Sequence, residues 1–334
     1  MSIHILAAHI GLRRSTRRIL ASALVAAAIL TSIAPATRAA SLIFTTPSSV
    51  IDAIAFDPTG NLYYLDRSSS TTQLISRTLS SGYTDSTVLF DYADADAIFG
   101  SFVTVNNGRV YFGESTDGTI RSLPLGGGTP TTNATVAFNY DLEFSPVSGK
   151  AFVSANPLGG ANNQIFEVNL SSGATTLVVT NTNDFSGPIA FDTAGALYYG
   201  SSGFNIPTDI FMFTDSAIMN AIDNTNPIDF SLESSFLATA GNSAFDFVAG
   251  EGLYRNFSGS DLSLVDLTIP SETAVPDPPP GFIGPIAHNG SALYAVTTNF
   301  TLGSSSFFIV PEPSSALLIY GAVFAVFARR RRIP

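Results

Sequence analysis

The chain has 334 residues, of which 45% are hydrophobic and 12% charged, with 26 Phe, 27 Gly, no Cys and no Trp. The lack of cysteine excludes a disulfide framework, a thiolate metal site and a cysteine nucleophile, and the aromatic content suits a packed β-rich body rather than bulk disorder. The net charge of −11 is unevenly spread: residues 41–310 carry six basic residues against 25 acidic ones, and both ends are basic. Such an acidic body excludes nucleic acid as a natural partner and leaves cations, or polymers bound through cations, as candidates.

Taken in chain order, the first element is a signal peptide over residues 1–39. Arg13, Arg14, Arg17 and Arg18 precede an apolar stretch over 19–34, and small residues follow it. Thr37 and Ala39 fill the two small positions before a cut after Ala39, and Ala34-Pro35-Ala36 offers a second cut. The run Thr16-Arg17-Arg18-Ile19-Leu20 also fits a loose twin-arginine pattern, so either secretion route is open.

The body, residues 40–310, is repetitive. An apolar strand, a polar turn and a second strand ending in an aromatic residue recur six times; examples are Ile54-Ala-Phe-Asp-Pro-Thr-Gly-Asn-Leu-Tyr63 and Ile189-Ala-Phe-Asp-Thr-Ala-Gly-Ala-Leu-Tyr198. The anchor aromatics are Tyr63, Tyr111, Phe152, Tyr198, Tyr254 and Tyr294, spaced 40 to 56 residues apart. That spacing accommodates four short strands, as in a propeller blade. The last blade has only three strands before Pro311, while Leu42-Ile43-Phe44-Thr45 stands unpaired ahead of the first. The expectation is an all-β, six-bladed β-propeller closed by that N-terminal strand, which removes two exposed sheet edges. In its Phe-Asp-x-x-Gly-x-Leu-Tyr element the body resembles six-bladed propellers of the NHL and gluconolactonase type.

Alignment of the inner strands places Ala55, Thr104, Glu143, Ala190, Asp246 and Ala287 in one column, with Asp141 on the same face two residues earlier. If that face lines the central channel, Asp141, Glu143 and Asp246 are candidate ligands for Ca²⁺ or another hard cation. The resemblance to the gluconolactonase type implies a metal at that place, held by acidic and Asn ligands. The opposing expectation is three solvated channel residues without a metal. His288 stands in the column otherwise filled by Phe56, Val105, Phe144, Phe191 and Phe247, where a hydrogen-bonded structural histidine is expected. Asp91, Asp94 and Asp96 read as a solvated acidic loop, Gly126 to Gly128 as a hairpin turn and Pro276 to Pro280 as a stiff loop. The sequence holds no nucleophile elbow, His-Glu-x-x-His helix, phosphate loop or dinucleotide fingerprint.

The last element, residues 311–334, reads Pro311-Glu312-Pro313, then 13 apolar residues over 316–328, then Arg329, Arg330, Arg331 and Arg332. This order resembles the PEP-CTERM sorting signal of Gram-negative bacteria, also catalogued as the ice-binding protein C-terminal domain. The resemblance implies a transmembrane sorting helix in the inner membrane, arginines on the cytoplasmic side, and cleavage near Pro-Glu-Pro by an exosortase. Charge supports the same topology, since four arginines hold that end inside. The helix is short, rising about 20 Å against a hydrocarbon core of roughly 30 Å, which makes for a weak anchor. Together these elements point to a protein passed by the secretion machinery to the cell surface or extracellular matrix. There it would be a non-catalytic propeller binding exopolysaccharide or a surface protein, with a metal-dependent, lactonase-like hydrolase as the rival reading.

Overall fold

The computed structural model describes residues 39–68, 71–92, 102–115, 117–201, 209–239, 241–257 and 261–310. The expected signal segment with Thr37, the sorting tail with Pro311, Glu312, Pro313 and Arg329 to Arg332, and the acidic-loop residues Asp94 and Asp96 lie outside them. Among the described residues no helix is long and apolar enough to cross a membrane.

Among the described residues six sheets form the body, each with four antiparallel strands and one with a parallel strand added. Blade 1 is β2 (Val50–Phe56), β3 (Leu62–Arg67), β4 (Thr72–Arg77) and β5 (Ser86–Tyr92). Blade 2 is β6 (Val103–Asn106), β7 (Arg109–Gly113), β8 (Thr119–Pro124) and β9 (Thr131–Thr135); blade 3 is β10 (Asn139–Phe144), β11 (Ala151–Ala155), β12 (Gln164–Val168) and β13 (Thr175–Thr180). Blade 4 is β14 (Ile189–Phe191), β15 (Leu197–Gly200), β16 (Asp209–Phe213) and β18 (Leu237–Ala238); blade 5 is β19 (Ala244–Val248), β20 (Gly252–Phe257), β21 (Asp261–Asp266) and β22 (Ser271–Ala274). Blade 6 is β23 (Phe282–His288), β24 (Leu293–Asn299) and β25 (Ser304–Val310), completed by β1 (Ser41–Thr46). The six inner strands β2, β6, β10, β14, β19 and β23 neighbour one another in that order, and β23 returns to β2. The ring is closed.

The closing strand is held by more than its ladder. Phe44 stacks on Phe307 of β25 with ring centroids 4.4 Å apart, and the Arg77 guanidinium of blade 1 lies 4.2 Å over the Phe44 ring. Arg77 also donates to the Tyr64 hydroxyl and the Tyr83 carbonyl, so one side chain ties blade 1 to the strand that ends the circle. Ser305 of blade 6 accepts from the Ile51 N–H of blade 1 at 3.1 Å, closing the same seam from inside.

Each blade is stacked between two others, and its second strand is therefore buried on both faces. Leu62 to Leu65 are all buried, as are Ala151 to Ala155, which is why these strands read as nearly continuous apolar runs, broken only by the buried Ser154, instead of alternating ones. All six anchor aromatics are core residues, from Tyr254 at 0% exposed to Tyr111 at 8%. In blades 1, 4, 5 and 6 the anchor tyrosine hydroxyl has a partner at the turn of the same hairpin, Glu251 serving Tyr254 in blade 5. Asp57 Oδ1 accepts from the N–H groups of Thr59 and Asn61, and Oδ2 accepts from Tyr63. Asp192 does the same for Ala194, Ala196 and Tyr198. Asn289 takes over in blade 6, accepting from Ser291 and Ala292 while its amide donates to the Tyr294 hydroxyl. Gly60 and Gly195 end the two aspartate turns at φ +83° and +84°, a left-handed conformation that a side chain resists.

Blade 4 departs from the pattern. Between β16 and β18 the chain inserts helix α1 (Asp215–Asp223), capped by the Thr214 hydroxyl accepting from Ala217 N–H, and then β17 (Ile228–Asp229). The β17 strand pairs in parallel with β13, giving blade 3 a fifth strand. Ile218 and Ala221 of the helix and Phe230 after it are buried in the cluster shared by blades 3 and 4. This insertion accounts for the 56-residue gap between Tyr198 and Tyr254.

Candidate functional site: the axial channel

The inner strands surround a cavity of about 390 Å³. Ala55, Thr104, Glu143, Asp246 and Ala287 of the aligned column line it, as do Asp141 and His288. A smaller cavity of about 220 Å³ adjoins it between blades 3, 4 and 5, walled by Phe144, Phe191 and Phe247, and contains the sixth column residue, Ala190. Glu143 and Asp246 line both cavities, so these two carboxyls stand where the voids meet.

The acidic side chains also hold the ring together. Asp141 Oδ2 accepts from the Ile189 N–H of blade 4 at 2.8 Å, and the Asp246 carboxyl accepts from the His288 N–H of blade 6. Asp246 Oδ2 is enclosed and has no hydrogen-bond partner. Burial pushes the Asp141 carboxyl up to about 6, against the Ile189 and Leu142 N–H groups that favour its ionised form. Burial pushes Asp246 up to about 8, opposed only by His288 N–H. Glu143 is driven well above the carboxylate range by burial first, and then by the neighbouring charges of Asp141 and Asp246. Asp141 therefore gives up its proton more readily than Asp246, and burial with two neighbouring charges favours the protonated form of Glu143.

The three expected carboxylates thus share one void, and Glu143 feels the charges of the other two. They are not drawn into a cation cage: among the described residues no three carboxylate or imidazole groups stand close enough to hold a metal ion. A hard cation needs six to eight oxygens at 2.3–2.6 Å, and one Asp141 oxygen is already engaged by Ile189. His288 is half-buried, and its Nδ1 accepts from the Gly290 N–H at 2.9 Å, the hydrogen-bonded histidine expected from its column. Asp91 accepts from Gln73 at 3.1 Å and lies on β5, outside the channel.

Sequence alignment misses the residues that β-bulges bring to the channel. The register of β2 against β3 shifts between Ile51 and Ala53, that of β10 against β11 between Asn139 and Asp141, and that of β23 against β24 between Ile283 and Ile286. The extra residues are Asp52, Tyr140 and the Gly284-Pro285 pair; Asp52, Tyr140 and Pro285 all line the void. A bulge re-aims a side chain without breaking the strand, and bulges gather at such rims. Asp52 is spoken for by a two-bond pair with Arg67, at 2.7 and 3.0 Å. Tyr140 reaches further, its hydroxyl donating to the Ser243 carbonyl just before blade 5, at 2.8 Å.

No family model matches the chain, and no curated protein matches it. Solved structures match its fold. A gluconolactonase from Xanthomonas campestris is 13% identical with a TM-score of 0.59, covering 83% of this chain and 99% of its own. The PQQ-bound aldose sugar dehydrogenase from Streptomyces coelicolor is 14% identical with a TM-score of 0.55, over the same 83% and 99%. A chain of a nidogen–laminin complex is 14% identical with a TM-score of 0.53, covering 68% of this chain and 79% of that one. Two enzymes and a nidogen–laminin complex share the architecture, and at such identities the likeness shows the fold alone.

Proposed function

We propose that the chain is an exported binding propeller whose axial channel takes up a polyhydroxylated ligand, such as the end of an exopolysaccharide chain. The observation that carries this reading is the 390 Å³ void lined by three carboxyls, Asp141, Glu143 and Asp246, whose burial raises all three above their ordinary values and favours the protonated form. A carboxylic acid offers an O–H donor and a carbonyl acceptor together, and a carboxylate offers only acceptors. A hydroxyl also both donates and accepts, so a sugar ring can satisfy all three groups, including the Asp246 oxygen that lacks a partner. The void has room for a sugar-sized ligand, in the range of small-molecule sites. Export and sorting belong to the same proposal, with residues 1–39 addressing the secretion machinery and Pro311, Glu312 and Pro313 addressing an exosortase. The outcome would be an inner-membrane intermediate followed by release to the cell surface or matrix.

The test is titration of oligosaccharides from a partial acid hydrolysate of exopolysaccharide into the purified protein. Heat release lost in Glu143→Gln supports the channel as the site; heat unchanged in that variant removes it. For sorting, a Glu312→Ala chain in a host with an exosortase should stay membrane-bound and unprocessed.

A second reading, a lactonase-like hydrolase, is favoured by the spread of the same carboxyls, since a group titrating near 6 beside one near 8 pairs a base with an acid at neutral pH. A cation in such an enzyme would have to draw Asp141, Glu143 and Asp246 together. Hydrolysis of gluconolactone by wild type, with or without added Ca²⁺, and its loss in Asp141→Asn would select this reading.

A further inference from the structure

We propose that Tyr140 is the size-selecting bar of the axial channel, a side chain that spans the void from blade 3 to blade 5 and must move aside for a bulky ligand to reach Glu143 and Asp246. This inference rests on the reading of the channel as a binding site. Its geometric basis is separate from the carboxyl cluster. Tyr140 is the extra residue of the bulge between Asn139 and Asp141, so no partner on β11 fixes it. Its hydroxyl is latched to Ser243, 103 residues away, and both residues line the void. Ring order puts blade 4 between the two ends of this bond, and Pro188 at the start of blade 4 lines the void beside them. The other ties between blades described above, Asp141 to Ile189, Asp246 to His288 and Ser305 to Ile51, join adjacent blades. The Tyr140 bond skips one, joining two residues that both line the cavity.

The latch is a single hydrogen bond to a backbone carbonyl, which suits a bar that opens. Its loss leaves no charge buried and no partner side chain stranded. A small molecule passes beside the ring, whereas a sugar-sized one has to displace it. The same residue thereby discriminates ligands by cross-section before any carboxyl is touched.

The test is carbodiimide labelling of the full-length chain in detergent, with glycine ethyl ester as the capping amine and peptide mass spectrometry as readout. Two reagents are compared, the small dimethylaminopropyl-ethyl carbodiimide and the bulky cyclohexyl-morpholinoethyl one. Asp223 and Glu233, both exposed, serve as internal standards. In Tyr140→Phe, labelling of Glu143 and Asp246 by the bulky reagent should rise about five-fold, the factor that one net hydrogen bond supplies. Tyr140→Ala should exceed that, and in both variants the small reagent should gain less. Equal gains with both reagents would mean that the substitutions act on carboxyl reactivity and not on passage, and would overturn the proposal. Unchanged labelling in Tyr140→Phe, which keeps the ring and its packing, would overturn it as well. No sugar takes part, so failure of oligosaccharide binding and failure of the bar are read separately.

Discussion

The channel carboxyls make a pH-dependent prediction that can be worked through for Asp246. Its carboxyl titrates near 8 in the folded chain against an ordinary 3.8. Each unit of difference corresponds to about 1.4 kcal/mol between protonation states, so the nominal cost of ionising this residue in the fold is about 6 kcal/mol. Solvent entering the void screens part of that cost, and about 2–3 kcal/mol is the realistic scale. The folded state holds the proton more tightly than the unfolded one, so the contribution of this residue to stability is intact below about pH 4 and is lost as pH rises through about 8. Asp246→Asn keeps an oxygen for the His288 N–H and cannot ionise. The variant should therefore lose less stability than wild type between pH 5 and 9, by about 5–10 °C in melting temperature for a domain of this size. The difference between the two melting curves isolates this group from the carboxylates that titrate in the opposite sense. Parallel pH profiles for wild type and variant would refute the reasoning, because Asp246 would then ionise as easily in the fold as outside it.

Three further predictions concern the scaffold. Asp57→Ala strips acceptors from Thr59, Asn61 and Tyr63 together and should cost about 2–3 kcal/mol by chemical denaturation, whereas Asp57→Asn should cost under about 1 kcal/mol, because Asn289 already serves the same turn in blade 6. Burial alone would raise the Asp57 carboxyl, yet the bonds from Thr59 and Asn61 hold it below its ordinary value, so its share of stability should fade as the solution is acidified through that lowered pKa. Gly60→Ala forces a side chain into φ +83° with its Cβ 2.8 Å from Leu79, and thermal melting should show a loss of about 1–2 kcal/mol. Phe44→Ala empties the stack on Phe307 and uncovers Arg77; a loss of about 2–3 kcal/mol, seen as earlier unfolding in urea, is expected at the closing seam.

The parts of this molecule that were legible in its sequence are those governed by local chemistry. The turn Asp57-Pro-Thr-Gly-Asn-Leu-Tyr63 carries its own hydrogen-bonding scheme, so its recurrence announced the blades, and the unpaired Leu42 to Thr45 announced the closure. Alternation along β10 and β19 likewise placed Glu143 and Asp246 on the channel face. The β17 strand was not legible, because two residues, Ile228 and Asp229, acquire strand character only from β13, whose paired residues Val179 and Thr180 lie 49 positions earlier. The bulges were not legible either. A bulge is a property of two strands in register, and nothing within Asn139-Tyr140-Asp141 shows that Tyr140 is the surplus residue.

The account turns on whether the axial void is a recognition site. The most direct measurement is calorimetric titration of the wild-type chain with exopolysaccharide-derived oligosaccharides at pH 7, repeated with Glu143→Gln and in the presence of a chelator. The account predicts saturable binding that the chelator leaves untouched and the Glu143 substitution abolishes. Binding that survives the substitution, or the absence of any binding by wild type, would contradict it.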